Sequence, residues 1–327
     1  LAGPWQEVPN LVTARGRNYY GGVLARDGFN GLRLWQQSLA NPQEKDSFRF
    51  RPVASATPPI AGDRHVFVFS GDKLQALDGL TGEVVQHYAE VGKPSHLLHD
   101  NGLLISVGAD QVHCVDVDSG RVLWTHAGSK PRHVVAGDGI VALVQGEPRR
   151  GEASEVVVLD QRSGEVKWSR SNYAWAERAT RSVYDHGLLA FEVSSKNDDG
   201  PNNSVHIVSA ADGTVVREIE FLPGMNHARQ ARAMFVEGQL WLLQGGKDAE
   251  KKRVPIEVAA IDLETGEAVT KHPAGLAHCF PPVATTRYMF SGEMDLTDLE
   301  TGEVDGNKIT KAACGRDAGW FPAHGLI

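Results

Sequence analysis

The sequence contains few cysteines, no long apolar run and no surplus of basic residues. Three cysteines among 327 residues exclude a disulfide-scaffold mini-protein and allow at most one internal bridge. Apolar runs of about 18 residues, long enough to cross a bilayer as a helix, are absent, so we expect no transmembrane segment. Lys and Arg number 33 against 41 Asp and Glu. Because nucleic-acid binding requires the opposite balance, we expect no nucleic-acid partner.

The sequence also lacks signals that would give a reaction or a cellular address. Walker A loops, Gly-x-Ser-x-Gly elbows, His-Glu-x-x-His helices and EF-hand loops are all missing. The chain begins at Leu1 without an initiator methionine or a signal peptide, and it stops in an apolar run at Ile327. We therefore expect a processed or trimmed chain whose targeting signal is not visible.

Glycine, in contrast, is abundant, and many of the 35 glycines close a repeated five-residue motif. Seven segments read Asp-x-x-(Thr, Ser, Asn or Asp)-Gly, with Ser209 in place of the leading Asp once. Their final glycines are Gly31, Gly82, Gly120, Gly164, Gly213, Gly266 and Gly302. The mean spacing of about 45 residues is typical of propeller blades.

Each motif has the chemistry of a hairpin turn. The leading Asp can accept hydrogen bonds from backbone N–H groups, and the final Gly tolerates a positive φ. Alternating apolar residues on both sides, as in 156–159 and 166–168, predict flanking strands. Trp35, Trp124 and Trp168 each follow a motif glycine by four residues, where we expect the ring to pack between adjacent sheets.

A second series of turns alternates with the first, and each of its members precedes a short apolar run. These turns are at residues 62–63, 101–102, 138–139, 186–187, 237–238, 286–287 and 324–325. The two series together predict an all-β fold, a single β-propeller of four-stranded antiparallel blades that occupies residues 1–327. We predict seven blades, or eight if residues 1–20 contain a further hairpin. The ring is expected to close with outer strands from residues 11–39 and inner strands from residues 308–327, which removes exposed sheet edges.

The Asp-x-x-Thr-Gly-x-x-x-Trp repeat resembles that of the quinoprotein-like (PQQ-like) β-propeller family. That family includes PQQ-dependent dehydrogenases, and also the outer-membrane-assembly lipoprotein and bacterial propellers that bind no quinone. His278-Cys279, Thr286-Arg287-Tyr288, Cys314 and residues 321–326 look like the non-quinone bacterial branch. We interpret the chain as a non-catalytic binding or scaffold module for a protein or polysaccharide. The resemblance implies a periplasmic, cell-surface or secreted location.

The cysteine positions argue against PQQ as a cofactor. Quinoprotein alcohol dehydrogenases carry two adjacent cysteines over the quinone and a Ca²⁺ ion held by Glu, Asn and Asp. Cys114, Cys279 and Cys314 are never adjacent, and no such set of Ca²⁺ ligands can be placed. We therefore predict no PQQ and assign no cofactor from the cysteine positions.

The residues that precede the second series of turns are expected to line the central channel. They are Ser95, His96, Arg132, His133, Glu177, Arg178, Asn226, His227, Arg229, His278, Cys279, Cys314, Arg316 and Asp317. His227, His278, Cys279 and Cys314 could ligate a transition metal. Alternatively, Cys279 and Cys314 form a disulfide between neighbouring inner strands, or they are buried thiols. Cys114 is predicted to lie in the core.

An acid–base site is the remaining hypothesis for these residues. Polysaccharide lyases on propellers use His and Tyr to transfer protons and Arg to neutralise a uronate carboxylate. Arg178, Tyr184, His227, Arg229 and His278 could be assembled in that way. His and Arg also line water-filled channels without any catalytic role. The alternatives to a scaffold are therefore a metal- or PQQ-dependent oxidoreductase and a polysaccharide lyase.

Overall fold

The protein folds almost entirely as antiparallel β-sheet. Its structure, a computed structural model, describes residues 4–5, 22–27, 32–38, 59–62, 64–70, 73–92, 94–128, 130–147, 151–194, 203–222, 233–248, 250, 252–275, 282–291 and 295–306. Within these ranges the chain forms seven sheets, and the one helical element is the short 3-10 helix Ala176–Arg178. These ranges hold no helix with the length and apolar character needed to cross a membrane.

The sheets are numbered here in chain order. Sheet 1 contains β1 (Pro4–Trp5), β2 (Gly22–Arg26) and β3 (Arg33–Ser38). Sheet 2 contains β4 (Ile60–Ala61), β5 (His65–Ser70), β6 (Lys73–Asp78) and β7 (Val84–Tyr88). Sheet 3 contains β8 (His96–Asp100), β9 (Leu103–Val107), β10 (Gln111–Asp116) and β11 (Val122–Ala127). Sheet 4 contains β12 (Arg132–Gly137), β13 (Ile140–Gln145), β14 (Glu155–Asp160) and β15 (Val166–Arg170).

The last three sheets have the same up-and-down order. Sheet 5 contains β16 (Ala179–Asp185), β17 (Leu188–Val193), β18 (Asn203–Ser209) and β19 (Val215–Phe221). Sheet 6 contains β20 (Ala233–Val236), β21 (Gln239–Lys247), β22 (Arg253–Ile261) and β23 (Ala268–Pro273). Sheet 7 contains β24 (Val283–Ala284), β25 (Tyr288–Ser291), β26 (Asp295–Asp298) and β27 (Val304–Gly306).

The first strands of sheets 2 to 6 lie side by side around the centre of the molecule. Strand β8 packs beside β4 and β12, and β16 packs beside β12 and β20. The apolar core fills the spaces between consecutive sheets, as where Trp168 of sheet 4 packs with Phe191 and Val208 of sheet 5. This arrangement confirms the predicted all-β propeller architecture of about seven blades.

Sheet 1 bears on the predicted closure of the ring. Strands β2 and β3 are the pair expected from residues 11–39, and the two-residue strand β1 pairs with β2. The sequence predicts that a strand from the C-terminal segment pairs with β2. In the described chain, the N-terminal strand β1 pairs with β2 instead. Residues 308–327 lie outside the described ranges, so closure by the C-terminal segment stays a prediction.

The turns between the third and fourth strands of the sheets have the predicted chemistry. The carboxylates of the leading aspartates in sheets 2, 3, 4, 6 and 7 accept backbone N–H groups two or three residues later, at 2.7–3.1 Å. In the described turns the final glycines have φ of 70–79°. Backbone N–H groups lower the pKa of Asp78, Asp160 and Asp262 because they stabilise the ionised carboxylates.

The three tryptophans join neighbouring sheets, as expected. The indole Nε1 groups of Trp35, Trp124 and Trp168 donate to Gly79 O (3.0 Å), Gln161 O (2.8 Å) and Ala210 O (2.8 Å) of the next sheet. Each acceptor is the second residue of the next turn motif. The rings cover the motif glycines so closely that a Cβ on Gly164 would meet Trp124 at 2.6 Å. We call each such hydrogen bond a sheet joint.

Sheets without a tryptophan at this position form the same joint with other side chains. Tyr88 OH donates to Val117 O at 3.2 Å, between sheets 2 and 3. Arg217 Nε donates to Leu263 O, and the His272 ring contacts Leu299 O, both at 3.1 Å. One backbone carbonyl per turn therefore receives a donor from the preceding sheet at all six consecutive interfaces.

Candidate functional site

The first strands of five sheets enclose a cavity of about 500 Å³ at the centre of the propeller. Such a volume lies in the range of small-molecule sites. The cavity is lined by Leu98, Val135, Ala136, Arg181, Ser182, Val183, Tyr184, Asp185, Met234, Phe235, Glu237, Pro282, Val283 and Ala284. Most of these side chains are apolar, so the few charged ones determine which ligand chemistry the cavity can accept.

Charged side chains lie near both ends of the cavity. We call the end where the first strands begin the start end; His96, Arg132 and Arg181 lie in the first half of β8, β12 and β16. At the other end, which we call the turn end, Asp185 and Glu237 lie at the turns that follow β16 and β20. Glu177 acts on Arg132 and Glu192 acts on Arg181, so the described charges at the start end are mixed, and Arg181 is the described basic residue there that lines the cavity.

A β-bulge in β12 reshapes the start end. The pairing with β13 shifts between Arg132 and Val135, and His133 between them has a φ of 52°. Arg132 holds the bulge in place. Its guanidinium donates to Gly146 O at 3.0 Å, Ser154 Oγ at 2.9 Å and Ala176 O at 3.2 Å. These three hydrogen bonds therefore stabilise the bulge, in which His133 has a positive φ.

Burial controls the charge of His133. Desolvation first, and then the positive charge of Arg132, lowers the pKa of His133 to about 4. Ser182 Oγ also donates to the His133 carbonyl, which ties the bulge to the neighbouring sheet. His133 is therefore neutral near pH 7 and adds no charge to the start end there.

A second bulge brings Arg181 to the cavity. The pairing of β16 with β17 shifts between Ala179 and Arg181, and Arg181 lies across from Glu192. The Arg181 side chain is exposed in the cavity, the protein around it lowers the pKa of its guanidinium by partial desolvation, and the negative charge of Glu192 opposes this. Glu192 is 3% exposed and accepts the Ala233 N–H at 3.4 Å. Among the described residues, the Arg181 guanidinium makes no hydrogen bond.

Two residues of the acid–base hypothesis, Arg178 and Tyr184, lie near opposite ends of β16. Arg178 ends the 3-10 helix before β16, whereas Tyr184 is the last but one residue of that strand. Six residues of extended chain span about 20 Å. The Tyr184 hydroxyl donates to Asp138 Oδ2 at 2.8 Å and accepts the Gly187 N–H at 3.2 Å, so it supports turns at the other end. Burial, and then that bond, raises its pKa.

The other predicted site residues fall outside the described ranges. They are His227, Arg229, His278, Cys279 and Cys314. The metal and disulfide hypotheses for them therefore stay predictions. Cys114 is described, and the prediction that it lies in the core is confirmed: its thiol is buried, and burial raises its pKa to about 12.

Thiol titration distinguishes the cysteine hypotheses. If Cys279 and Cys314 form a bridge, we expect one reactive thiol under denaturing, non-reducing conditions and three after reduction. In the native protein, Cys114 is expected to stay unmodified at pH 8, because the thiolate is the reactive species and burial disfavours it. Three thiols without reduction would contradict the bridge.

The described residues do not fit a quinone with its Ca²⁺ ion. They contain no group of three or more His, Cys, Asp or Glu side chains placed to hold a metal ion. The three cysteines of the sequence are also far apart along the chain, so adjacent cysteines are not available. We therefore derive no chemical step through PQQ.

Sequence reasoning missed Arg181 as a cavity residue. It expected the inner segment of sheet 5 at Glu177 and Arg178, but the strand begins at Ala179. Arg181, Val183 and Asp185 alternate along β16 and all line the cavity, and this alternation could have identified Arg181. However, the bulge at Thr180 shifts the alternation by one residue relative to the residues before it.

Comparison with known proteins places the chain in a family. Two overlapping segments, residues 9–126 and 112–280, match the family described as outer membrane protein assembly factor BamB. No curated protein matches the sequence significantly. The fold is similar to BamB from Moraxella catarrhalis (TM-score 0.50, 15% identity, 83% of this chain and 76% of that chain).

Two dehydrogenases have a similar fold. One is a europium-containing methanol dehydrogenase (TM-score 0.54, 10% identity, 92% of this chain and 79% of that chain). The other is quinohemoprotein alcohol dehydrogenase from Comamonas testosteroni (TM-score 0.56, 14% identity, 87% and 63%). At these identities the likeness concerns the fold alone. On the family match over most of its length, the chain belongs to the PQQ-like β-propeller family described as outer membrane protein assembly factor BamB.

Proposed function

We propose that the protein is a non-catalytic scaffold that binds a partner protein outside the cytoplasm. The description of its family as an assembly factor supports this role. The observation that carries it is the distribution of exposed apolar side chains. All large hydrophobic residues that are exposed in the described chain lie on the outermost strands or on the turns that lead into them.

Five of these side chains are concentrated on sheets 1 and 2. They are Leu32, Leu34, Leu80, Val84 and Val85, which we call the rim patch, with exposed fractions of 40–74%. The joint from Trp35 to Gly79 brings the two sheets together, and Leu80 follows Gly79 at its acceptor end. Leu34 precedes Trp35 on β3 and is exposed on the other face of that strand. Exposed apolar residues on neighbouring outer strands are typical of protein-binding surfaces.

The backbone beside the rim patch is also suited to a protein partner. Strand β7 is the last strand in the order of sheet 2, so its outer edge has no strand paired to it among the described residues. An extended segment of a partner can add to such an edge through main-chain hydrogen bonds, while its apolar side chains contact Val84 and Val85. The occupant we propose is therefore an extended, apolar segment of another protein.

Site-specific photo-cross-linking tests this function. A photoreactive amino acid at Leu80, in cells that produce the chain, is expected to give a discrete protein adduct. The same residue at Val269, which is 62% exposed on the outer strand of sheet 6, serves as the matched control and should give none. Val85→Asp should reduce the Leu80 adduct at least about fivefold, because a charge is costly in an apolar contact.

Three outcomes would overturn the proposal. One is equal adducts from Leu80 and Val269, and another is an adduct that resists protease but not glycosidases, which indicates a polysaccharide partner. The third is recovery of the chain in the cytoplasmic fraction, which contradicts the location.

A further inference from the structure

We propose that the central cavity binds a small aliphatic carboxylate, with its head group on Arg181 and its apolar body along the channel toward the turn end. This site lies inside the ring and does not depend on the rim patch or on a protein partner. Its head-group contact, Arg181, belongs to neither the metal nor the acid–base hypothesis, although Tyr184 of the latter also lines the cavity.

The first argument is the state of the charged groups that line the cavity. Asp185 is fully engaged, since it accepts the Gly238 N–H at 2.8 Å and contacts the His186 ring at 2.7 Å. Glu237 is exposed on its turn at the mouth. Arg181 differs from both, because its guanidinium has five donors and none of them forms a hydrogen bond in the described chain. Arg181 is exposed to the water in the cavity, so a cation with donors unused by the protein is open to an anionic ligand.

The second argument is the position of Glu192. Its charge attracts Arg181 from across the strand pair. However, its carboxylate is buried and already accepts the backbone N–H of Ala233. Glu192 therefore fixes Arg181 in place electrostatically without satisfying its donors. A ligand carboxylate can then form the planar two-bond contact that guanidinium groups favour.

The third argument is the surface beyond Arg181. Val135, Val183, Met234, Phe235 and Val283, from four different first strands, line the cavity with half-buried apolar side chains. Burial of an aliphatic chain against them removes apolar surface from water. A carboxylate with a short polar body would gain only the head-group contact. The class of ligand is therefore an amphiphile and not a sugar acid.

Titration calorimetry of the purified full chain with octanoate tests the site, and octanamide is the uncharged comparison. We expect octanoate to bind with one-to-one stoichiometry and at least about tenfold more tightly than octanamide, which corresponds to one charge-assisted hydrogen-bonded contact. Acetate should bind much more weakly than octanoate, because it lacks the apolar body. These comparisons use the unmodified protein and do not depend on how a variant folds.

The matched variants are Arg181→Gln and Arg253→Gln. Arg253 is exposed on β22, away from the cavity lining, so its loss should leave octanoate affinity unchanged. Arg181→Gln should weaken octanoate about tenfold and leave octanamide unchanged. Equal affinity for octanoate and octanamide, or equal effects of the two variants, would overturn the site. Absence of any binding would do the same. If Arg181→Gln loses octanoate binding but still gives the Leu80 adduct, the cavity site and the proposed protein-binding function are independent of each other.

Discussion

Replacement of Trp124 by alanine is expected to lower the free energy of unfolding by about 3–5 kcal/mol, the range for large aromatic truncations in cores. The side chain is 9% exposed, and its ring covers Gly164 of the next sheet. The variant also leaves the Gln161 carbonyl without its donor at 2.8 Å. A loss of this size is a large share of the stability of a typical folded protein.

The measurement is urea unfolding monitored by circular dichroism, with Leu123→Ala as the matched control. Leu123 is the preceding residue and is 39% exposed, so its truncation should cost no more than about 0.5 kcal/mol. Trp124→Phe keeps an aromatic ring and loses the N–H donor, so an intermediate loss of about 1–3 kcal/mol is expected. Equal destabilisation by the alanine substitutions at 123 and 124 would contradict the structural role of the joint.

Stability is expected to fall as the pH falls from about 6.5 toward 4, because histidines packed inside the fold, most strongly His133 and His206, resist protonation. Burial, and then Arg178, lowers the pKa of His206 to about 4, and burial, then Arg132, does the same for His133. In the unfolded chain both would titrate near 6.5. Between these values the unfolded state binds more protons, so unfolding is favoured as the pH decreases.

The size of this effect is on the order of 3 kcal/mol for His206, from the shift in its pKa. Its side chain is 5% exposed and stacks on Trp175 at 4.8 Å. Glu218 lies 3.5 Å from His206 Nδ1 and would favour protonation, but its side chain is 59% exposed and water screens its charge. Desolvation therefore dominates. His133 is less buried and should contribute less.

Urea titrations at pH 7 and pH 4.5 measure this effect. His206→Phe keeps the stacking on Trp175 and removes the titrating group, so it should reduce the loss of stability between the two pH values. His87→Gln, at an exposed position on β7, is the control and should not change that loss. An unchanged pH dependence in His206→Phe would show that its protonation is not linked to unfolding. Below pH 4, the turn aspartates, whose pKa values are lowered, should add a further loss.

The sequence allowed the sheets to be predicted because turns depend on local chemistry. An Asp that caps backbone N–H groups and a Gly with positive φ carry their signal within five residues. The joints between sheets were predicted only where a tryptophan forms them. Tyr88, Arg217 and His272 replace it with side chains of different size and charge, and no local pattern reveals a donor that acts on a residue 27 to 46 positions away.

The candidate site was less predictable for a different physical reason. The bulges at His133 and Thr180 each insert one extra residue into a first strand, β12 and β16 respectively. Neither bulge contains a glycine from which it could have been predicted. The register of β16 therefore had to come from its pairing with β17. The pairing of β16 with β17 places Arg181 in the cavity lining and Tyr184 near the turn end, and the sequence of β16 alone does not specify this pairing.

The sheet joints also bear on how such a propeller can change over evolutionary time. In every joint the acceptor is a main-chain carbonyl, a group that all amino acids possess. Substitution of the acceptor residue thus leaves the receptor intact, and the donor needs only an N–H or O–H group at the right reach. The donor can therefore differ from one interface to the next, as Trp, Tyr, Arg and His do here, whereas the turn glycines under the tryptophan rings must stay small.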